Sequence, residues 1–249
     1  PPPKKQYESN KNRGSLSISE SMSADSFIKR AIGKKEFVKP EEVTYENCRP
    51  VFWKFYLELI KRDNPGKSLD DILVSDDKRT NELLSGFLKW LLFEDGLFDK
   101  NKSLFLWGRS GVGKSTIVEA GFFLMKYVFK RTGWDGRMYE MYGLDELFYD
   151  SYTKDTLANM NKVGSGFVCL DDLKEKHIHY KYYGNNISIM SDLLSSRFER
   201  WKRFGESTII TSNIPEKEIG NVLNDKRLMR RFDMQYNIFE YIGMDKSVK

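Results

Sequence analysis

The chain has 249 residues, 40% of them hydrophobic, so it is long enough to enclose one sizeable core together with shorter appendages. Its formal net charge is +5, and this surplus lies entirely in residues 1–39, which hold nine basic and four acidic side chains. The rest of the chain is therefore not basic overall, and any contact with nucleic acid must come from local patches or from the tail. No apolar run approaches the length of a membrane span and no signal-peptide core is present, so we expect a cytoplasmic protein without membrane contacts.

The two cysteines, Cys48 and Cys169, give no sign of a metal site. Neither has a metal-ligating neighbour at a useful spacing. Cys169 lies inside an apolar run, where a small buried thiol is the ordinary explanation. Both observations fit a reducing compartment.

Residues 1–39 are predicted to form a flexible basic tail. Residues 1–26 are rich in Ser, Lys, Asn and Pro and have too few apolar side chains to offset the entropy of ordering. The next segment, Phe27–Ile32, is short, amphipathic and basic. It is either a docking segment for a partner or the edge of the folded part.

Residues 40–100 are predicted to form a small helical segment that precedes the main domain. The first helix is expected to begin at Pro40 and to end at Asn64-Pro65-Gly66. The second follows Asp77, places its leucines on one side and ends by Gly96. We interpret the aromatic residues of both helices as core.

The most informative stretch is Ser103–Thr116, where an apolar strand runs directly into a complete G-x-x-x-x-G-K-[ST] motif, the Walker A loop. Glycines let backbone N–H groups surround phosphates, and the helix that starts near Lys114 directs its positive dipole end at them. Lys114 is expected to reach the β- and γ-phosphates and the Ser115 hydroxyl to bind Mg²⁺. The sequence therefore predicts a site for a nucleoside triphosphate such as ATP. Its predicted nucleotide-binding residues are Gly108, Ser110, Gly111, Val112, Gly113, Lys114, Ser115 and Thr116.

After this loop, strands and helices alternate through residues 101–249. Further strands are predicted at Met138–Tyr142, Gly166–Asp172, Thr208–Asn213 and Met234–Ile242. Helices are predicted from Lys114, at Leu144–Tyr152, at Ser188–Phe204 and at Asn221–Arg231. Because several strands are apolar on both faces, we predict an α/β fold with a parallel sheet covered by helices on both sides.

Polar residues end two of the predicted strands and are expected to gather beside the phosphates, since ligands collect at the carboxyl ends of parallel strands. Asp171 is expected to bind Mg²⁺ and Asp172 to orient the attacking water. The Asn213 amide can hydrogen-bond both the γ-phosphate and the water, although a plain turn residue before Ile214-Pro215 is the alternative.

Three arginines follow on the predicted helix at residues 221–231: Arg227, Arg230 and Arg231. A guanidinium can neutralise the charge of the transferring phosphoryl group, either within one subunit or from a neighbour. If one of them acts on a neighbour, the protein must oligomerise to hydrolyse ATP.

A basic aromatic stretch, residues 174–186, follows the acidic pair directly. Its tyrosines can stack on bases while its lysines follow the nucleic-acid backbone, although a solvated loop is the alternative. The candidate contacts to single-stranded DNA are Lys176, Tyr180, Lys181, Tyr182 and Tyr183. His177 and His179 lie here without a visible third ligand, so we do not predict a metal site.

The order of these motifs, from Leu104 to Asp245, resembles the DnaC/IstB-type branch of AAA+ ATPases, which contains helicase loaders and transposition ATPases. The most specific part is Arg197–Pro215. The resemblance implies an AAA+ type P-loop fold, binding of ATP and Mg²⁺, head-to-tail assembly into a homo-oligomer and contact with single-stranded DNA. It also implies remodelling of a hexameric replicative helicase through an N-terminal segment.

By position, the resemblance places Arg231 at the arginine finger and Arg227 at the other arginine of that motif. The sequence departs from the family near its end, where Lys246 stands in place of an expected arginine. It also lacks the N-terminal Cys/His cluster of some loaders.

The sequence leads us to expect an ATP-dependent loader of a replicative helicase. Three alternatives remain open: a transposition-regulating ATPase that forms filaments, a virus-type helicase that acts alone, and a nucleotide-gated adaptor with little turnover.

Overall fold

The computed structural model describes residues 38–68, 78–150, 163–178, 189–223 and 226–242. The predictions made for residues 1–37, for Tyr180, Lys181, Tyr182 and Tyr183, and for Lys246 lie outside these ranges. Within the described ranges, no helix combines the length and the apolar character needed to cross a membrane.

Eight helices and five strands alternate along the described part of the chain. The helices are α1 (Tyr45–Asp63), α2 (Lys78–Leu91), α3 (Lys114–Thr132), α4 (Leu144–Asp150), α5 (Glu175–Ile178), α6 (Ile189–Phe204), α7 (Glu216–Leu223) and α8 (Lys226–Gln235). The strands are β1 (Ser103–Trp107), β2 (Tyr139–Gly143), β3 (Phe167–Leu173), β4 (Thr208–Ser212) and β5 (Tyr236–Glu240).

All five strands form one parallel sheet in the order β2-β3-β4-β1-β5. The central strands are largely buried and carry runs of apolar residues because both faces of the sheet are covered. In β1, for example, Leu104 packs into one hydrophobic cluster and Phe105 into another. Helices α1, α2 and α3 supply the first cluster, whereas α4 to α8 supply the second. Together with the glycine loop after β1, this three-layer arrangement is an α/β P-loop NTPase fold, as predicted.

The first helix begins five residues later than predicted. Residues 40–43 form a turn, in which the Val43 amide donates to the Pro40 carbonyl at 3.0 Å. Thr44 is extended, and its hydroxyl accepts a hydrogen bond from the Asn47 amide at 3.3 Å, which caps the helix. Glu41 and Glu42 therefore lie in the turn and not in the first turn of the helix, which Thr44 caps.

The single helix predicted at residues 221–231 is also wrong. Two helices, α7 and α8, occupy this part of the chain. Pro215 precedes α7, where its carbonyl accepts from the Glu218 amide at 3.1 Å, and Glu216 and Glu218 lie in the first turn. Proline before two acids is a helix-start signal, and here it marks the beginning of α7.

Candidate functional site

The order of the strands brings the predicted polar residues together. Strand β4 lies between β1 and β3 and pairs in parallel with both. The glycine loop after β1, the acidic end of β3 and Asn213 after β4 therefore lie side by side at one edge of the sheet.

The glycine loop has a backbone that other residues could not adopt without strain. Gly111 and Gly113 have φ angles of 78° and 99°. Gly108 has a φ of 154°, and a Cβ atom there would lie 1.9 Å from the Tyr241 carbonyl oxygen. Gly113 directly precedes α3, so the free amides at the start of that helix open toward the loop. This arrangement is suited to anions.

Lys114 is buried beneath the loop, with 6% of its surface exposed. Its ammonium group donates to the carbonyls of Gly108 and Arg109, both at 2.8 Å, and to Asn213 Oδ1 at 3.0 Å. Burial lowers the pKa of Lys114 to about 8, although the nearby Asp172 and Asp171 carboxylates oppose this shift. The Lys114 ammonium group is thus held beside the loop by two carbonyls and one amide oxygen, and an incoming anion can replace these contacts.

Ser115 and Asp171 meet across the gap between α3 and β3. The Ser115 hydroxyl donates to Asp171 Oδ1 at 2.9 Å. The Thr211 hydroxyl donates to the same oxygen at 2.6 Å and accepts from the Asp172 amide at 2.8 Å. Thr211 therefore fixes both acidic residues relative to β4. The sequence analysis assigned no role to this residue.

Asp172 is held in an unusual backbone conformation. Its φ is 64°, in the left-handed region that residues other than glycine seldom occupy, and the pairing of β3 with β4 is irregular between Leu170 and Leu173. This bend turns the carboxylate toward Asn213, whose side-chain amide donates to Asp172 Oδ1 at 2.9 Å. Asn213 thus links Lys114 to Asp172. Strain of this kind gathers at functional sites.

These groups border a cavity of about 390 Å³. Part of its lining comes from residues 110–116 with Asp172, Thr211 and Asn213, which we call the loop side of the cavity. The rest of the lining comes from residues that the sequence analysis placed in the core or left without a functional role. These are Tyr56, Ile60, Asp63 and Asn64 of the first helix and its end, and Tyr241 after β5. The helical segment before the loop is therefore a wall of the site, and only its packing against α3 reveals this.

The wall is tied to α3 by charged side chains. Arg62 donates to both carboxylate oxygens of Glu119, at 2.7 and 2.8 Å. The Thr116 hydroxyl donates to Asp63 Oδ2 at 3.2 Å. The end of α1 is thus fixed beside the start of α3, next to the glycine loop.

The oxygen atoms on the loop side of the cavity can coordinate a hard cation, and the backbone amides there can bind an anion. Hydroxyl and carboxylate oxygens, such as those of Ser115 and Asp171, are the ligands that Mg²⁺ uses together with phosphate oxygens. Within the described ranges, no three His, Cys, Asp or Glu side chains form a metal-binding group of their own. A cation here would therefore have to share its coordination with the ligand.

The three predicted arginines lie away from this cavity, since none of them is among the described residues that line it. All three are on α8, where Arg227 and Arg230 are exposed. Arg231 lies over the Phe198 ring, 5.0 Å from its centroid, and 3.9 Å from Glu199 Oε1. Action within one subunit, one of the two alternatives, has no support in this arrangement.

Of the predicted DNA contacts, the structure describes Lys176. Its ammonium group lies 2.5 Å from Asp145 Oδ1, and its side chain is 62% exposed. The partner carboxylate already neutralises much of this charge, so Lys176 alone does not make a basic patch.

No family model matches the chain, and no curated protein matches it. The solved structures that are similar to it include the following three. A primosome component from Streptococcus pyogenes is 20% identical, with a TM-score of 0.49 over 70% of this chain and 85% of that one. The DnaC helicase loader is 18% identical, with a TM-score of 0.44 over 70% of this chain and 95% of that one. AMPPCP-bound DnaA from Aquifex aeolicus is 18% identical, with a TM-score of 0.45 over 74% of this chain and 52% of that one.

Proposed function

We propose that the chain binds ATP with Mg²⁺ in this cavity and hydrolyses it to ADP and phosphate. The observation that supports this most is the continuous hydrogen-bonded chain from Lys114 through Asn213 to Asp172, beside a glycine loop that opens into the cavity. A cation, an amide and a carboxylate in this order provide phosphate binding, alignment and water activation at adjacent positions.

In this proposal, the loop and the start of α3 bind the phosphate chain. Backbone amides of residues 110–113, which line the cavity, would point at the phosphates, and the helix dipole favours their negative charge. Lys114 exchanges its contacts with the loop carbonyls for the β- and γ-phosphates. The α1 wall, with Tyr56 and Ile60, then encloses the base and the sugar.

Ser115 and Asp171 would hold Mg²⁺, Ser115 directly and Asp171 directly or through water. Their oxygen atoms are 2.9 Å apart, and Ser115 directly follows Lys114 at the glycine loop. When bound, the ion neutralises charge on the β- and γ-phosphates.

Asp172 and Asn213 would act on the attacking water. The carboxylate accepts a hydrogen bond from the water, and the Asn213 amide holds water and γ-phosphate in line. The water oxygen bonds to the γ-phosphorus as the bond to the bridging oxygen breaks, so ADP leaves with that electron pair. The proton of the water passes through Asp172 to solvent or to the released phosphate.

Arg231 would serve the site of a neighbouring copy, because its position on α8 lies outside the cavity of its own chain. Mixing two inactive variants tests this directly. Chains with Lys114→Ala keep the arginine, and chains with Arg231→Ala keep an intact cavity. If Arg231 acts between copies, the mixture of Lys114→Ala with Arg231→Ala regains ATP hydrolysis. A second mixture, of Lys114→Ala with Arg230→Ala, tests Arg230 in the same way. If neither mixture hydrolyses ATP faster than its two component variants do alone, the proposal for the arginines fails.

We further propose that hydrolysis drives the loading of a hexameric replicative helicase onto single-stranded DNA. The order of sequence motifs from Leu104 to Asp245 supports this role. The test is to incubate the full chain with such a helicase, circular single-stranded DNA and ATP, and to measure helicase retained on the circle. Retention should require an intact Lys114. Replacement of Tyr180, Tyr182 and Tyr183 by alanine should weaken DNA binding, and unchanged binding would contradict the contact proposed for them.

A further inference from the structure

Lys174 lies between two carboxylates directly after β3. Its ammonium group is 2.6 Å from Asp172 Oδ2 and 2.7 Å from Asp145 Oδ2. Asp145 belongs to the first turn of α4, and neither Asp145 nor Lys174 is among the described residues that line the cavity. One lysine therefore joins the acidic end of β3 to a neighbouring helix.

Asp145 is a firm anchor for this contact. Besides Lys174, it accepts hydrogen bonds from Lys176 at 2.5 Å and from His177 Nε2 at 2.7 Å. His177 is 2% exposed and stacks on Phe148, while its Nδ1 accepts from the Lys174 amide at 3.1 Å. The donors around Asp145 lower its pKa, and the two carboxylates raise the pKa of Lys174, so both remain charged.

As a result, both oxygens of the Asp172 carboxylate have protein donors. Asn213 donates to Oδ1 at 2.9 Å, and Lys174 donates to Oδ2. Each carboxylate oxygen can accept a second hydrogen bond, but the two donors fix the plane of the carboxylate, so a water has to bind in the orientation that they leave. Asn213 faces the cavity and can act on the same water, whereas Lys174 is not among the residues that line the cavity.

We infer that Lys174 is a positioning residue that restrains Asp172 and keeps ATP hydrolysis slow, with Asp145 as its anchor. This inference rests on the proposed function. Release of Lys174 lets the carboxylate rotate and leaves both lone-pair positions of Oδ2 to the attacking water, and the reaction needs no additional reactant. Nucleotide affinity does not change, because Lys174 contacts neither the glycine loop nor the α1 wall.

The experiment compares steady-state ATP hydrolysis by the full chain and by its Lys174→Met variant. A half-exposed ion pair biases an equilibrium by a factor of about two to five, so kcat should rise about two- to fivefold while KM stays unchanged. Lys174→Arg keeps the cation and should return kcat to the original value. Lys100→Met removes a remote lysine, 2.8 Å from Asp95, and should leave both constants unchanged.

An unchanged or lower kcat in Lys174→Met would overturn the inference, as would an equal rise in Lys174→Arg. Lys174→Gln is measured in parallel and interpreted in the same way if the methionine variant does not fold. Binding of a fluorescent ATP analogue, measured separately, distinguishes the two proposals. If the analogue binds but neither the unaltered chain nor Lys174→Met hydrolyses ATP, the restraint is refuted while the nucleotide site stands. If the analogue does not bind at all, the proposed function itself fails, and the restraint with it.

Discussion

Lys114 and Arg197 are both buried cations, yet the chain uses them differently. Lys114 is 6% exposed and Arg197 is fully buried. Burial lowers the pKa of each side chain, because both charges have lost most of their water. They differ in what replaces that water.

Arg197 has replaced its water with fixed protein groups. It donates to Thr208 Oγ1 and to the Gly166 carbonyl, both at 2.8 Å, and to the Ser207 carbonyl at 3.2 Å. These contacts tie α6 to the starts of β3 and β4. Lys114 borders a cavity instead, and its contacts are with loop carbonyls and one amide. A buried cation beside open space can change partners, whereas one enclosed by protein serves the fold.

Lys114→Ala gives the strongest test of this difference. We expect the affinity for ATP to fall by about 10³-fold, since truncation of a buried phosphate-binding charge removes several favourable contacts at once. The fold should persist, because the freed carbonyls face the cavity and can bind water. Thermal unfolding with and without ATP measures both effects. Stabilisation by ATP that survives the substitution would contradict the role of Lys114.

Arg197→Met should show the opposite behaviour. It removes the Arg197 donor from the Gly166 and Ser207 carbonyls and a buried cation 3.9 Å from Glu206, so we expect a loss of about 3–5 kcal/mol in the free energy of unfolding. Urea denaturation measures this loss. Whatever fraction remains folded should bind ATP with unaltered affinity. A variant that is as stable as the original chain would refute the structural role.

Asp172→Asn separates binding from chemistry within the cavity. The amide cannot accept the proton of the water, so kcat should fall by about 10²-fold. KM should change little, because Asp172 contacts the phosphates only through water. Steady-state hydrolysis measures both constants. An equal fall in kcat and rise in KM would show instead that Asp172 belongs to the binding surface.

Arg62→Ala should have the smallest effect and tests the α1 wall. The Arg62–Glu119 pair is 54% and 25% exposed, and pairs of this kind contribute little in water. We therefore expect the affinity for ATP to fall by about two- to fivefold, since the wall is less well fixed. Titration with a fluorescent ATP analogue measures the change. Arg49→Ala, on the exposed side of the same helix, is the matched control.

The sheet and the loop side of the cavity could be predicted from the sequence because the patterns that indicate them are local in the chain. The motif around Lys114 places loop and helix in one stretch, and the apolar runs before Asp171 and Asn213 read as buried strands. Strand alternation then sets the edge at which these residues meet. Helix boundaries near Thr44 and Pro215 depend on caps that compete with equally good nearby signals.

The α1 wall could not be predicted. Tyr56 is 4% exposed, and its helical spacing does not distinguish a core residue from one that borders a cavity. The contact of Lys174 with Asp172 requires the bend at φ 64°, which no sequence pattern announces. The target proposed for Arg231 lies on a second copy of the chain, so neither its sequence position nor one subunit defines it.

The central claim is that the cavity holds a nucleoside triphosphate, and calorimetric titration of the full chain with ATP and Mg²⁺ tests it most directly. We predict one site per chain, a dissociation constant in the micromolar range or tighter and no measurable heat of binding with Lys114→Ala. An absence of binding by the unaltered chain at millimolar ATP, or equal binding by both proteins, would contradict the account.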